Sequence, residues 1–302
     1  MMYPLVSIIT VNYNQSALTL ELLASLAQIS YPSVEIIVVD NGSSESPKAL
    51  IQRAYPQVIV IESSENLGFA GGNNLGISIS KGNFCLFLNN DTEVEPSFLE
   101  PLVNAMKQTS QMGIAAAKLR YFEAKETLQF AGSTPMHPWK IQSFAYGFGE
   151  KDEGQWDYFQ ETALAHGAAM LVRSSVIKEV GPMPLAYFLY YEEIDWCEQI
   201  KKAGYTIFFV PDSLVWHKES RSIGKKSPLQ IYYKSRNRLL FARRWRKGVL
   251  LYLSISYLLV VLLKDVIKYV FLGNFNAALQ IFRALIWHVM YKEKTKSPIA
   301  SE

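Results

Sequence analysis

Apolar and polar positions fall into blocks along the first hundred residues, and each block has its own period. Leu5–Val11 is a continuous, mostly apolar run rich in β-branched residues, the pattern of a strand buried on both faces. Leu18–Ala27 places apolar residues at helical spacing. Val34–Val39 predicts a second buried strand that ends at Asp40, and Pro47–Ala54 a short helix. Val58–Ile61 predicts a third strand, Ala70–Ser80 a helix, Phe84–Leu88 a fourth strand ending at Asn89, and Ser97–Lys107 a helix. Such repeated strand–helix units predict an α/β fold with a Rossmann-like, mostly parallel sheet flanked by helices. Ligands in these sheets bind beyond the carboxyl ends of the strands, where Asp40 and Asn89–Asp91 stand. The pattern loosens from about Met112, and residues 121–162, rich in Gly, Pro and aromatics, read as long loops or short strands. Order returns with Ala168–Val172, a helix near Ser174–Glu179, a stronger helix near Glu192–Ala203 and a strand at Ile207–Val210.

After Lys247 the character changes. Val249–Leu263 runs 15 residues without a charge, short of the roughly 20 that a spanning helix needs. Lys264, Asp265 and Lys268 then break the apolar pattern, and a second, amphipathic stretch runs Ala277–Tyr291. The formal net charge of +3 hides a segregation: between Glu219 and Asp265 there is no acid, while Arg221, Lys225, Lys226 and others through Lys264 make 11 cations. The remaining chain is therefore acidic, and the basic collar suits an anionic surface. Two readings fit the C-terminal stretch: amphipathic and apolar helices packed on the domain, or an in-plane membrane anchor beside the collar. If the apolar run spanned, the collar would lie on the cytoplasmic side. Tyr232, Tyr233 and Trp245 stand among the cations, but no nucleic-acid motif accompanies them, so no nucleic-acid partner is expected.

The 302 residues are 49% hydrophobic and 19% charged, which excludes a disordered chain. Cys85 and Cys197 lie far apart, excluding a disulfide framework, and no Cys-x-x-Cys occurs; a reducing compartment is the expectation. The opening MMYPLVSIIT lacks the basic and long apolar regions of a signal peptide.

Four clusters and a lone histidine can carry chemistry. Asp40, in VVDNGSS, is either a strand-end turn residue or an acceptor for a base or ribose. The glycine cluster Asn66–Asn74 comes after the third strand, the wrong order for a dinucleotide site, yet glycines opening a helix suit a closely approaching diphosphate. Asn89-Asn90-Asp91-Thr92 is either an Asx turn or, through Asp91 and Asn89, an oxygen site for a hard divalent cation. Glu192, Glu193 and Asp195 put three carboxylates in four residues beside aromatics, either decorating a helix N-terminus or supplying a general base. His217, in VWHKES, is a structural histidine or a late metal ligand that folds back on Asp91.

Taken in order, VSIITVNYN, VVDNGSS, ENLGFAGGNNLG, FLNNDTEV, GAAMLVRSSVIKEVGPM, YYEEIDWCEQIKKAGY, VWH and YYKSRNRLLF resemble the family-2 inverting glycosyltransferases of GT-A fold. The similarity is to bacterial rhamnosyltransferase-like members that build cell-surface polysaccharide, and it covers about residues 4–240. It implies a glycosyltransferase domain over 1–240, with a nucleotide-binding half (1–110) and an acceptor half (111–240), followed by collar and membrane-associating helices over 241–302. It implies that Asp40 reads a pyrimidine base in a pocket lined by Val11, Asn12 and Tyr13. Asn66, Gly72, Asn73 and Asn90 would serve the rest of the nucleotide-sugar, and Gly167 and Ala168 would lie under the acceptor. Asp91, Asn89 and His217 would hold Mg²⁺ or Mn²⁺, and Glu193 would be the base, supported by Glu192 and Asp195.

The implied reaction is metal-dependent, inverting transfer from a dTDP- or UDP-sugar, dTDP-rhamnose first, to a saccharide or lipid-linked acceptor at the cytoplasmic face of the membrane. The chain departs from the family pattern in three places. Asn89 replaces the first acid of the metal motif, Glu193 stands where an Asp is usual, and Ser220 or Ser222 replaces a glycine after His217. The alternatives are a non-catalytic nucleotide-sugar-binding scaffold and a nucleotidyltransferase, although the latter wants a glycine-rich basic loop that Asn12–Ser16 does not provide.

Overall fold

The computed structural model describes residues 3–218 and 227–291. The collar residues Arg221, Lys225 and Lys226, and the serines at 220 and 222, lie outside them. The chain forms two compact units, Met1–His137 with Gln142–Ile223, and Pro138–Ile141 with Gly224–Glu302.

The first unit is built on one sheet. Its first half follows the predicted alternation: β1 (Val6–Asn12), α1 (Ser16–Leu26), β2 (Val34–Asn41), α2 (Lys48–Ala54), β3 (Ile59–Ser63), α3 (Gly68–Ile79) and β4 (Phe84–Leu88). Then come β5 (Thr92–Val94), α4 (Leu99–Gln108), β6 (Met112–Tyr121), β7 (Leu128–Phe130), β8 (Gln160–Glu161), β9 (Ala169–Arg173), α5 (Ser174–Val180), α6 (Glu192–Lys202) and β10 (Thr206–His217). The strand order is β3-β2-β1-β4-β9-β6-β10-β5, with β7 on β6 and β8 on β10. Strands β3, β2, β1 and β4 are mutually parallel, as are β6 and β10, whereas β9 runs antiparallel between β4 and β6. Because β9 is reversed, the residues just before it lie at the same sheet edge as the carboxyl ends of β4 and β6. The apolar runs that predicted buried strands are buried: Val6, Ile8, Ile9, Ile37, Val38 and Leu86 are all fully enclosed.

Two features of this unit differ from the sequence reading, while the 121–162 segment keeps its predicted loops and short strands. The strand predicted to stop at Val210 continues to His217. The register slips between Val210 and Leu214, so Pro211, Asp212 and Ser213 form a bulge where proline's missing N–H does no harm. The residues after Asp91 form β5, antiparallel to the end of β10, with Thr92 opposite His217. The 121–162 segment is tied to the sheet by charge: Asp152 accepts from Arg120 Nε at 2.7 Å and from the buried Lys118 Nζ at 3.2 Å, and Lys118 also pairs with Asp157.

The second unit contains three helices among the described residues: α7 (Pro228–Trp245), α8 (Gly248–Phe271) and α9 (Phe275–Met290). Ser227 caps α7 by accepting from Gln230 N, and Asn274 caps α9 by accepting from Ala277 N. Lys264, Asp265 and Lys268 do not end α8, since they are tolerated on a helix surface; the helix runs 24 residues and buries only a stripe at Ser254, Leu258 and Leu262. It is the one helix among the described residues long and apolar enough, by length and composition, to cross a membrane.

Candidate active site

Asn12 ends β1 directly opposite Asp40 at the end of β2. Its buried amide donates to Asp40 Oδ1 at 3.0 Å and accepts from the Thr19 hydroxyl at 2.9 Å. The Ser43 hydroxyl donates to the same Asp40 oxygen at 2.5 Å. Both bonds fall on Oδ1, so the carboxylate is fixed through one oxygen while Oδ2 takes no hydrogen bond among the described residues. Val11 precedes Asn12 in β1, and Tyr13 is 46% exposed just beyond it.

The glycine cluster shapes the N-terminus of α3. Asn41, which the sequence reading passed over, organises it. Its amide donates to Asn66 Oδ1 at 3.1 Å and to the Gly68 carbonyl at 3.0 Å, and accepts from Leu67 N–H at 3.0 Å. The available signal was its place immediately after Asp40. Gly68 has φ +72°, and a Cβ there would lie 2.2 Å from the Phe188 carbonyl oxygen, which itself accepts the Phe69 N–H at 2.7 Å. The segment leading into α6 is thereby seated on the start of α3. A Cβ on Gly72 would lie 2.8 Å from Val11 Cγ1, so this glycine lets α3 lie close on β1. Asn73 turns its buried amide back to the Phe69 carbonyl at 3.0 Å, and Asn90 donates to the Thr19 hydroxyl at 3.1 Å. Both side chains are thus engaged within the fold.

Asp91 follows β4 and His217 ends β10, and their side chains meet at 3.1 Å between Oδ1 and Nε2. Asn89 Nδ2 lies 3.4 Å from the same imidazole nitrogen. On its other side, His217 Nδ1 faces Gln129 Oε1 at 2.9 Å, both residues being buried. With Gln129 accepting from Nδ1–H, two states fit: an imidazolium donating to Asp91, or a neutral ring whose Nε2 lone pair and the carboxylate converge on a cation. Burial pushes the Asp91 carboxyl up, but the hydrogen bond and charge of His217, with a smaller contribution from His166, outweigh it and hold the group below its ordinary value.

Among the described residues no three His, Cys, Asp or Glu side chains gather as a closed metal cluster. One carboxylate and one imidazole converge here, with the Asn89 amide alongside. Oxygen and neutral-imidazole donors of this kind would suit a divalent cation that is held only partly by the protein.

The turn before β9 joins this pair to the carboxylates of α6. The Ala168 carbonyl accepts the Asn89 N–H at 3.0 Å. A Cβ on Gly167 would lie 3.6 Å from Glu193 Cγ, so Glu193 rests against the turn. His166, also passed over in the sequence reading, has its ring centroid 6.0 Å from that of His217, and burial foremost pushes its pKa down to about 3. Its Nδ1 accepts the Ala168 N–H at 3.1 Å, which fixes the turn. Within α6, Glu192 is buried, Glu193 is partly exposed, and Asp195 is fully enclosed between the Tyr187 hydroxyl and the Gln199 amide. Phe188, Tyr190 and Tyr191, just before α6, all have positive φ, from 66° to 77°. Strain of this kind in bulky residues concentrates at segments that position function.

The sequence and the fold have counterparts in known proteins. The family model described as "Glycosyl transferase family 2" matches residues 7–181. An N-acetylglucosaminyl-diphospho-decaprenol L-rhamnosyltransferase of Mycobacterium tuberculosis is 26% identical over 76% of this chain and 81% of its own length. The low-salt glycan biosynthesis hexosyltransferase Agl10 of Haloferax volcanii is 27% identical over 78% of this chain and 74% of its own. Among solved structures, the fold is similar to a mannosyltransferase from Pyrobaculum calidifontis in complex with GDP-Man and Mn²⁺ (TM-score 0.59, 16% identity, 97% of this chain and 77% of that one). It is also similar to GalNAc-T7 with UDP, GalNAc and Mn²⁺ (TM-score 0.63, 15% identity, 80% of this chain and 50% of that one). These neighbours show the GT-A fold that the motif order implied. The matched interval carries the strand-end carboxylates, the glycine cluster and the turn before β9, and with it the chain belongs to glycosyl transferase family 2 and is a glycosyltransferase.

Proposed function

We propose that this glycosyltransferase moves a sugar from a pyrimidine nucleoside diphosphate to an acceptor hydroxyl, with inversion and with the help of a divalent cation. The observation that carries the reading is the meeting of Asp91 and His217, 126 residues apart in sequence, next to the turn before β9 against which Glu193 rests. The Oδ2 atom of Asp40 accepts from a base N–H, while Val11 and Tyr13 line the pocket and Asn12 holds Asp40 in place. Asn66 and the close-packed helix start at Gly72 serve the ribose and diphosphate. A cation held by Asp91 and His217, with Asn89 alongside, would neutralise charge on the departing diphosphate. Gly167 and Ala168 form the floor on which the acceptor rests. Glu193 takes the acceptor proton as its oxygen attacks the sugar carbon, and the carbon–diphosphate bond breaks on the opposite face. One base and one displacement give inversion.

The name of the mycobacterial relative supports a deoxyhexose donor such as dTDP-rhamnose and a lipid-linked saccharide acceptor in glycan synthesis. The apolar outer face of α8 beside the basic run Arg243–Lys247 supports attachment to the cytoplasmic leaflet, with α8 in the membrane plane.

The test is thermal unfolding with UDP, dTDP, GDP or NAD, each with Mn²⁺ or EDTA. A pyrimidine diphosphate at a hundred times its Kd adds about 2.7 kcal/mol, and here it does so only with metal. No shift with either pyrimidine diphosphate overturns the donor reading. Glu193→Gln should keep the shift and abolish transfer; full activity would remove Glu193 from the chemistry.

A further inference from the structure

The described part of the second unit carries a single acid, Asp265, against 11 lysines and arginines. Its helices α7 and α9 pack along one another and leave an open groove of about 600 Å³. Leu229, Tyr232 and Tyr233 of α7 form one wall, and Trp287 and Met290 of α9 the other, with Arg283 set among them. No carboxylate pairs with Arg283 among the described residues. Such a groove is apolar along its length with the exposed Arg283 at its side, while the Arg236 guanidinium lies over the Tyr233 and Trp287 rings at 4.8 and 4.6 Å. A soluble anion would leave the apolar walls open to water, and a plain hydrocarbon would make no use of the cation. An amphiphile whose hydrocarbon begins at a phosphate satisfies both.

The surroundings favour a lipid that is still in its bilayer. Met290 is 77% exposed, and the neighbouring Val289 is 86% exposed. On α8, Val249, Tyr252 and Phe271 are each more than 70% exposed. Soluble monomers rarely leave so much contiguous apolar surface in water. We propose that the α7–α9 groove binds one anionic phospholipid, its phosphodiester on Arg283 and its first chain carbons along Leu229, Ile286 and Met290. This rests on the membrane-attachment reading above and adds a selective site to it.

The experiment uses the full-length protein and vesicles of 70% phosphatidylcholine and 30% phosphatidylglycerol. Bromine, a tryptophan quencher, is placed on the acyl chains of the phosphatidylglycerol in one set. In the other set it is on an equal amount of phosphatidylcholine. The signal assigned to the groove is the difference between the parent protein and Trp287→Phe. It should be quenched more strongly by brominated phosphatidylglycerol. Arg283→Gln should erase that preference and lower vesicle partition about fivefold at low salt. Lys247→Gln removes an equal charge outside the groove and should lower partition while leaving the preference intact. Equal quenching by the two brominated lipids, or none of the Trp287 signal, overturns the groove site while vesicle attachment stands. Failure to float with any vesicle overturns the attachment reading itself.

Discussion

Replacing Gln129 by leucine tests how the Asp91–His217 pair is held. Gln129 is 2% exposed and its Oε1 lies 2.9 Å from His217 Nδ1. Leucine has similar bulk but no acceptor, so the buried Nδ1–H is left without its partner, at a cost of about 1–3 kcal/mol. The ring is also freed to turn Nε2 away from Asp91. Removing a partner that orients a ligating histidine weakens metal binding by roughly 10–100-fold. The assay is calorimetric unfolding with and without Mn²⁺ and dTDP. Gln129→Leu should unfold at lower temperature in EDTA, and its stabilisation by metal and nucleotide together should appear only at higher Mn²⁺. Gln129→Glu restores an acceptor and should recover the metal response more fully than leucine does. A leucine variant with the parent's stability and Mn²⁺ dependence would show that Gln129 does not orient His217.

Other outcomes rest on the same geometry. Gly68→Ala forces a Cβ to within 2.2 Å of the Phe188 carbonyl at a φ of +72°; it should cost at least about 1–2 kcal/mol, lower the melting temperature and reduce transfer, because α6 is seated through that contact. Unchanged melting would refute the close approach. Burial pushes the Asp152 carboxyl up, but Arg120, the Gly154 N–H and Lys118 outweigh it and hold the group low. Its contribution to stability is therefore present above the ordinary carboxylate value and lost as pH falls through the lower folded value. Asp152→Asn should cost about 3 kcal/mol near pH 7, and the gap to the parent should close on acidification toward pH 3; a gap that persists there argues against an ionised partner. Asp91→Ala should lower the melting temperature in EDTA, because His217 loses its partner, and should also abolish the further stabilisation by metal and nucleotide; retention of the Mn²⁺ response would place the cation elsewhere.

Much of the first half of the sheet was legible because its signals are local. A short run rich in β-branched residues such as Leu5–Val11 favours a strand enclosed on both faces, and a strand that ends in Asp40 presents that acid at the sheet edge. The ordered motifs carried the family, to which the matched interval 7–181 belongs. Tertiary structure decided what depends on distant partners. Thr92–Val94 is too short to declare itself and becomes β5 only because β10 passes beside it. β10 reaches that far only through a bulge at Pro211, a residue that reads as a stop along the chain. Gln129 and His166 are ordinary in sequence and gain their roles because the reversed strand β9 and the paired strand β7 bring them to His217. Asn73 bonds back to the Phe69 carbonyl one turn earlier, whereas Asn90 finds Thr19, 71 residues away, only because the fold brings α1 to the end of β4. Periodicity fixes which face of an element is buried; only the packed chain decides which side chains from different elements share one point in space.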